Sequence, residues 1–207
     1  MTTGHPAQQL GAALRLYGRR IVLRPLTSAD WEQWSEVRRR NEEWLTPWEP
    51  LRPVGMLDPT RDRDAFVARC HARDRERLAG VAIGLGLFVG PDLAGEVNLN
   101  GIVRGAQQSA TIGYWIDRAK AGNRYIAEAV VVVCRFAFEQ LHLHRIEVCI
   151  VPRNHNSRRV MEVLGFRDEG TALRFLEING TWEDHVRYAI TAEEWDDRCA
   201  ALSRVWL

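Results

Sequence analysis

The chain has 207 residues, of which 46% are hydrophobic and 27% are charged, a composition typical of a single globular domain. Its 28 basic and 27 acidic residues give a formal net charge of +1, which argues against sequence-independent attraction to nucleic acid. The N-terminal segment lacks the pattern of a secretion signal, and no apolar run is long enough to cross a bilayer, so we expect a cytoplasmic protein without membrane contact.

The first third of the chain predicts one strand followed by two helices. Residues 20–26 alternate in polarity and are rich in β-branched types, which predicts a strand. Hydroxyl and acidic residues then precede apolar residues at helical spacing, Trp31, Trp34 and Val37, which predicts a helix. A second helix is expected over residues 61–77.

The middle of the chain predicts strands and one buried helix. Residues 80–90, 94–103 and 108–117 are extended runs separated by Gly, Pro and Asp turns, which favours an antiparallel meander. Apolar residues are then nearly continuous over residues 125–141. The polar residues of this segment fall on one narrow stripe, which predicts a deeply buried helix rather than a strand: Glu128, Arg135 and Glu139.

The last third predicts a strand over residues 144–151, a short helix and a hairpin. Asn156 or Ser157 is expected to cap the short helix, which ends at Gly165. The Asn-Gly pair at 179–180 predicts a tight turn between two further strands, 172–178 and 182–190, before a terminal helix that starts in T-A-E-E-W. Together these elements predict an α/β domain with a mixed sheet.

The four cysteines predict no disulfide framework and no metal site. They are scattered without C-x-x-C spacing, and two of them lie in strongly apolar runs. We therefore expect reduced residues of the core: Cys70, Cys134, Cys149 and Cys199.

The turn R-A-K-A-G-N-R, just before the buried helix, has the features of an anion site. The first amides of a helix have no partner and lie at the positive end of its dipole. Arg118, Lys120 and Arg124 add positive charge around them. Most turns between a strand and a helix share this geometry and bind nothing, so the turn alone does not decide between a phosphate site and an ordinary turn.

Three motifs occur in an order found in one family. They are Y-W-I-D-R-A-K-A-G before the buried helix, N-H-N-S-R-R-V-M-E-V-L-G-F after an apolar strand, and L-E-I-N-G-T-W-E-D-H-V near the end. With these motifs the chain resembles the GCN5-related N-acetyltransferases (GNAT), and most closely their RimJ and RimL types, which act on ribosomal proteins. The resemblance implies one GNAT domain over residues 19–207 behind an extension of residues 1–18. It also implies a splayed, mixed and mostly antiparallel sheet flanked by helices, with acetyl-CoA in the opening.

In the family that the chain resembles, a glycine-rich loop holds the diphosphate of acetyl-CoA with its backbone amides. This chain departs from the pattern, because Ala121, Arg124 and Ile126 stand where Gln or Arg, Gly, and Gly or Ala are usual. Arg124 either blocks the loop or turns outward and pairs with a phosphate. The residues that the resemblance implies for donor binding are Trp115, Ile116, Gly122, Asn123, Arg124, Tyr125, Ile126, Ala127, Asn154 and Ser157.

The reaction that the resemblance implies is direct attack of a neutral amine on a thioester. An α-amine has a pKa near 8 and a lysine near 10.4, so the α-amine is neutral about a hundredfold more often near pH 7. A strong general base is correspondingly less necessary. The candidate for a water-mediated base is Glu96, with Tyr114 and Glu147 as further options. Exposure to solvent is the alternative for Glu96, and core packing is the alternative for Tyr114.

The resemblance also assigns roles to two residues of the N-x-x-S element. Asn154 is expected to form a hydrogen bond near the pantetheine or the amine. Ser157 is expected to help protonate the departing thiolate, and a plain helix cap is its alternative role.

A segment rich in tryptophan and proline, residues 43–53, would border the acceptor groove in this fold. It either grips an extended peptide N-terminus or packs on itself. His142 and His144 are expected to finish the buried helix, and His185 beside Asp184 to order the last hairpin. No histidine has metal-ligand spacing.

The sequence thus predicts an acetyl-CoA-dependent N-acetyltransferase without a metal. Its expected acceptor is a protein or peptide N-terminus, such as that of a ribosomal protein, and its expected state is a monomer or a homodimer. Two alternatives stay open. One is an acetyltransferase for small amines, and the other is a non-catalytic module that binds acyl-CoA or a protein.

Overall fold

The computed structural model describes residues 14–207, so residues 1–13 of the expected extension lie outside the described residues. The strands and helices are β1 (Leu16–Tyr17), β2 (Val22–Arg24), α1 (Trp31–Arg40), α2 (Glu42–Leu45), α3 (Arg63–Leu78), β3 (Ile83–Val89), β4 (Asp92–Val103), β5 (Ser109–Ile116), α4 (Tyr125–Arg135), β6 (Arg145–Ile150), α5 (His155–Leu164), β7 (Arg167–Ile178), β8 (Thr181–Thr191) and α6 (Ala192–Trp206). Within this range, no helix combines the length and the apolar character that crossing a membrane requires.

One sheet of eight strands runs through the described part of the chain, in the order β1-β2-β3-β4-β5-β6-β8-β7. Neighbouring strands are antiparallel except β5 and β6, which are parallel. These two strands pair only where Ser109, Ala110 and Thr111 face the first residues of β6. Beyond that point they separate, and the sheet is open. The predicted α/β class with a splayed, mostly antiparallel mixed sheet is confirmed.

Helix α4 fills one face of the sheet. All its residues from Ile126 to Cys134 are buried, so its stability comes from packing on the sheet rather than from an exposed polar face. The predicted helix over 125–141 is correct in kind, but its last turn, Phe136–Gln140, is π-helical.

Glu128 is the one acidic residue buried within α4. Its carboxylate accepts hydrogen bonds from the backbone N of Arg20 at 2.6 Å and from Nε of Arg20 at 2.8 Å. A buried carboxylate needs such a partner, because desolvation strongly disfavours the unpaired charge. The predicted polar stripe therefore begins at a buried carboxylate and becomes more exposed through Arg135 to Glu139. The same arginine donates from Nη1 to the carbonyl oxygen of Asn123, which ties the first strands to the loop before α4.

A second, smaller core contains residues of α1 and α3. Leu87 and Phe88 are adjacent in β3 but belong to the first and the second core respectively. Since successive side chains of a strand point to opposite faces, the two cores lie on opposite faces of the sheet. The buried members of the second core are Leu26, Trp34, Phe66, Cys70, Phe88 and Leu93.

The cap of α5 differs from the prediction. Asn154 caps this helix, rather than Asn156 or Ser157, because its Oδ1 accepts the backbone N–H of Ser157 at 3.1 Å. The end at Gly165 is as predicted, with a φ of 64° that suits glycine.

The strand before the Asn-Gly turn is longer than predicted. It begins at Arg167 rather than at 172, and two register shifts against β8 obscure the alternation of its sequence.

The cysteines are free in the described residues. Cys70 and Cys134 are buried as expected, whereas Cys149 and Cys199 are only half-buried.

Candidate active site at the opening of the sheet

The opening between β5 and β6 is bridged by one pair of side chains. Tyr114, beyond the last paired residue of β5, places its hydroxyl 2.7 Å from Oγ of Ser157 in α5. The Tyr114 hydroxyl also lies 3.3 Å from the carbonyl oxygen of Ser157, so its single proton has two possible acceptors, this carbonyl and the nearer Oγ. Burial raises the pKa of Tyr114, so its phenol stays protonated near neutral pH and is a proton donor there rather than a base. Asn154 and Ser157 lie together at this point, since the first caps the helix that carries the second.

The loop before α4 presents unpaired amides at the start of a buried helix. No backbone N–H of residues 122–127 has an acceptor within the described residues. Asn123 shapes the loop by donating from Nδ2 to the carbonyl oxygens of Lys120 and Ala121 at 3.1 and 3.3 Å. Such a run of free amides at the positive end of a helix dipole is a site for an anion such as a diphosphate.

Arg124 takes the backbone conformation that a glycine would take. Its φ is 63°, in the left-handed region, and its side chain is exposed. No hydrogen bond or ion pair holds this side chain within residues 14–207. Of the two alternatives given by the sequence, the geometry favours the outward one, because the side chain is exposed and no such contact among the described residues holds it over the loop.

Glu96 does not face solvent but lies buried under the opening. Its Oε1 accepts from Nε1 of Trp34 at 2.6 Å and from Nε1 of Trp115 at 3.3 Å, and its Oε2 accepts from Arg69 at 2.6 Å. Burial alone would raise the pKa of this carboxyl, but the charge of Arg69 and the hydrogen bonds from Trp34 and Arg69 outweigh burial and lower it. A carboxylate with these contacts holds Trp115 in place and is a weak proton acceptor.

Glu147 lies opposite Thr111, at the last paired position before the opening. Arg145 donates to its carboxylate at 2.6 Å and Arg187 at 2.9 Å. Burial acts to raise the pKa of Glu147, but the hydrogen bonds from both arginines prevail and the pKa is lowered. The contacts of this carboxylate point to a structural rather than a basic role.

The tryptophan-rich segment is packed against the sheet rather than on itself. Trp44 donates from Nε1 to the carbonyl oxygen of Ile116 at 3.1 Å, at the end of β5. The backbone N of Asn179, in the turn between β7 and β8, donates to the carbonyl oxygen of Glu49 at 2.8 Å. The segment therefore lies along the same face of the sheet as Trp115 and Glu96.

A family model described as an acetyltransferase (GNAT) domain matches residues 20–167, about the part of the chain from β2 to the start of β7. The chain belongs to the GNAT family. The predicted family and the predicted enzyme class, an N-acetyltransferase, are thereby confirmed.

Individual relatives of this GNAT domain agree with the assignment. The probable N-acetyltransferase YjcK of Bacillus subtilis is 37% identical over 179 residues, which cover 84% of this chain and 96% of the relative. The alanine N-acetyltransferase of ribosomal protein uS5 from Escherichia coli is 31% identical over 185 residues, covering 88% of this chain and 93% of the relative. The structure of Mycobacterium smegmatis RimJ in complex with a CoA-disulfide superposes with a TM-score of 0.81 at 30% identity, covering 92% of this chain and 94% of that one.

The histidines of this GNAT domain have local roles. Nε2 of His144 lies 3.0 Å from a carboxylate oxygen of Glu193. Nδ1 of the buried His185 lies 2.9 Å from the carbonyl oxygen of Glu183. Asp184 accepts the backbone N–H of Arg174 within the last hairpin. Residues 14–207 contain no group of His, Cys, Asp and Glu that could hold a metal ion.

The partners of the predicted site residues were not found from the sequence. Trp34 and Arg38 are four residues apart on α1, so they lie on one face of that helix and both reach the vicinity of Trp115. This spacing of four residues was the one sequence pattern that could have predicted their contacts near Trp115. The partner of Glu96 on α3, Arg69, is one of many arginines in that helix, and no spacing distinguishes it.

The low pKa of Glu96 predicts a specific pH dependence of stability. Its folded-state pKa lies below the unfolded value of about 4.3, so the ionised group stabilises the fold above that pH. This contribution is lost as the pH falls toward the folded-state pKa. We expect the free energy of unfolding to fall more steeply between about pH 5 and pH 3 in the parent protein than in Glu96→Gln.

Urea unfolding at each pH measures this difference. The matched control is Glu36→Gln, which removes an exposed carboxylate and should leave the slope of the parent unchanged. Parallel curves for the parent and Glu96→Gln would show that the pKa of Glu96 is the same in the folded and unfolded states, which would contradict the lowered pKa.

Proposed function

We propose that this GNAT domain transfers the acetyl group of acetyl-CoA to the α-amine at the N-terminus of a protein. The observation that carries the proposal is the alignment of three features along one opening: free amides before α4, an unpaired edge of β5, and the Tyr114–Ser157 hydroxyl pair. The E. coli relative is named for the alanine of a ribosomal protein, which supports a protein acceptor and, with it, a cytoplasmic location.

The loop before α4 fits the diphosphate of the donor. The amides of Gly122, Asn123, Arg124, Tyr125, Ile126 and Ala127 are unpaired within the described chain. Glycine lets a backbone approach an oxygen closely, and Arg124 keeps that backbone shape with its left-handed φ of 63°. Its exposed guanidinium supplies a charge-assisted hydrogen bond to a phosphate oxygen.

The edge of β5 beyond Thr111 fits the amides of the pantetheine arm. Trp115 and Ile116 lie on this edge, where β6 no longer supplies hydrogen-bond partners, although the carbonyl oxygen of Ile116 accepts a hydrogen bond from Trp44. A strand edge with free N–H and C=O groups accepts an extended ligand as it would accept another strand. Asn154, at the facing helix start, offers its side-chain amide to the same ligand.

The hydroxyl pair supplies the proton that the leaving thiolate needs. The amine nitrogen forms a bond to the thioester carbonyl carbon and the bond from that carbon to sulfur breaks. The amine gives its proton to solvent, and solvent returns the proton that the hydroxyl pair gives to sulfur. When Tyr114 donates to Oγ of Ser157, the proton of Ser157 is free to point into the opening. A hydroxyl placed in this way protonates the departing sulfur and stabilises its developing charge.

The acceptor amine does not require Glu96 as a strong base. An α-amine with a pKa near 8 is neutral in about a tenth of molecules at pH 7. We propose that Glu96 positions Trp115 at the opening, through the hydrogen bond of 3.3 Å between them.

Release of the CoA thiol tests the proposal directly. We expect thiol release when acetyl-CoA is mixed with a peptide that begins with Ala or Ser, and none with the same peptide blocked at its α-amine. Faster turnover with a small polyamine than with any peptide would instead favour the alternative acceptor class. No thiol release with any amine would contradict the proposed function.

The hydroxyl pair predicts a non-additive effect on catalysis. Tyr114→Phe and Ser157→Ala should each lower kcat by about a hundredfold, because proton transfer by a positioned group contributes about that much. Since the two hydroxyls act as one unit, the double variant should be little slower than either single variant. The matched control is Tyr17→Phe, an exposed tyrosine outside the opening. Multiplying effects in the double variant would show that the two groups act separately.

We expect substitutions of Arg124 to change the affinity for CoA. Arg124→Ala should weaken binding by about tenfold in calorimetry, since a hydrogen bond to a charged group contributes about 1.5–3 kcal/mol. Arg124→Gly should weaken it to a similar extent, although glycine suits the left-handed backbone. The control is Arg204→Ala, at the far end of α6. Tighter binding by Arg124→Gly than by the parent would show that the side chain obstructs the loop.

A further inference from the structure

The segment from Trp44 to Leu51, which we call the strap, contacts both sides of the opening. On one side, Trp44 donates to the carbonyl oxygen of Ile116 at the end of β5. On the other side, the ring of Trp48 lies 4.8 Å from the guanidinium carbon of Arg153, in the connection from β6 to α5. The strap therefore joins the two strands that the sheet itself leaves unpaired.

The middle of the strap is held by Glu49. Its carboxylate accepts hydrogen bonds from both Nη atoms of Arg38, each at 2.6 Å. Its carbonyl oxygen accepts a hydrogen bond from the backbone N of Asn179 at 2.8 Å. Paired hydrogen bonds between a guanidinium and a carboxylate fix both distance and orientation. Glu49 thus connects the strap to α1 and to the β7–β8 turn.

Arg38 also lies between the strap and the opening. Its guanidinium carbon is 5.0 Å from the centre of the Trp115 ring and 5.9 Å from that of Trp34. Stacking on these rings leaves its side chain only 19% exposed, so the ion pair with Glu49 is screened weakly by solvent. Trp115 in turn lies on β5 at the opening, so Arg38 connects the position of the strap to the opening itself.

The far end of the strap leaves little space at the hairpin. A Cβ atom at Gly180 would lie 3.0 Å from Cδ1 of Leu51, which is tighter than ordinary van der Waals contact. The strap therefore also contacts the β7–β8 turn, and by spanning the opening it narrows the access of an acceptor from this face. A slender, extended chain end passes through such a space more easily than an amine on a bulky group.

We infer that Arg38 and Glu49 determine acceptor selectivity, by holding the strap across the opening so that only an N-terminus with a small first residue reaches it. This inference rests on the proposed function, since it concerns the acceptor side of the same site. Arg38 and Glu49 are positioning residues, because they act through the strap and touch neither substrate.

Selectivity between matched peptides tests the inference. Peptides that differ only in their first residue, Ala, Leu or Trp, are compared by kcat/KM with acetyl-CoA in excess. We expect the parent protein to prefer Ala, and we expect the ratio of Ala to Trp to fall at least tenfold in Arg38→Gln and in Glu49→Gln. Because the pair is one contact, the double variant should match the single variants. The KM for acetyl-CoA should change far less than the ratio of Ala to Trp.

Two further variants separate selectivity from general loss of structure. Glu49→Asp keeps the charge and should retain most of the preference for Ala. Glu36→Gln breaks the exposed ion pair with Arg40 on the same helix and should behave as the parent. If Arg38→Gln fails to fold, as judged by circular dichroism, the half-buried Glu49 gives the same readout.

The outcomes distinguish this inference from the proposed function. An active parent whose preference survives unchanged in Glu49→Gln would overturn the role of the strap and leave the proposed function standing. A parent that acetylates none of the three peptides would overturn the proposed function, and the inference with it.

Discussion

The early separation of β5 from β6 is the constraint on which the rest of the site depends. Two parallel strands normally satisfy each other's backbone groups along their length, and an unpaired edge inside a protein is unfavourable unless something else pairs with it. Here pairing stops after Thr111 and Glu147, and the strands are then joined only indirectly, through Tyr114 and Ser157 on one face and through the strap on the other. The backbone groups of β5 that β6 leaves unpaired are the ones that an extended ligand can use.

A buried carboxylate on each face of the sheet holds the parts that border this opening. Glu128 is paired with Arg20, whose guanidinium also reaches the loop before α4, whereas Glu96 is paired with Arg69 and holds Trp115. Buried ion pairs add little net stability over apolar packing, because desolvation offsets their attraction. Their effect is on geometry, since any arrangement that separates the partners leaves a charge unpaired in the interior. The loop before α4 and the face that carries Trp115 are thus each fixed by one such pair.

The sequence predicted the elements that depend on local patterns and missed what depends on contacts distant in sequence. The apolar run of α4, the Asn-Gly turn and the extended runs of the middle strands are visible in periodicity alone, and the structure has them close to the predicted positions. The solvent-exposed alternative for Glu96 was wrong. Its partners come from α1, α3 and β5, which no local pattern brings together. The cap at Asn154 was missed for a related reason. Several Asn and Ser residues compete in N-H-N-S, and only the exact end of β6 decides among them.

Arginine rather than lysine contacts the tryptophans on the Trp115 face of the sheet. Lys120 is the only lysine of the chain, and on this face Arg38, Arg69 and Arg153 each lie over a tryptophan ring while pairing with a carboxylate. A planar guanidinium can stack with its face and donate hydrogen bonds with its edge at the same time, whereas an ammonium group offers only a point charge. Each of these tryptophans is therefore fixed both by its packing and by a cation that is itself fixed by an acid. It follows that the tryptophans around the opening are held in position before any ligand binds, and a site that is ordered in advance loses less conformational freedom on binding than one that has to order its side chains.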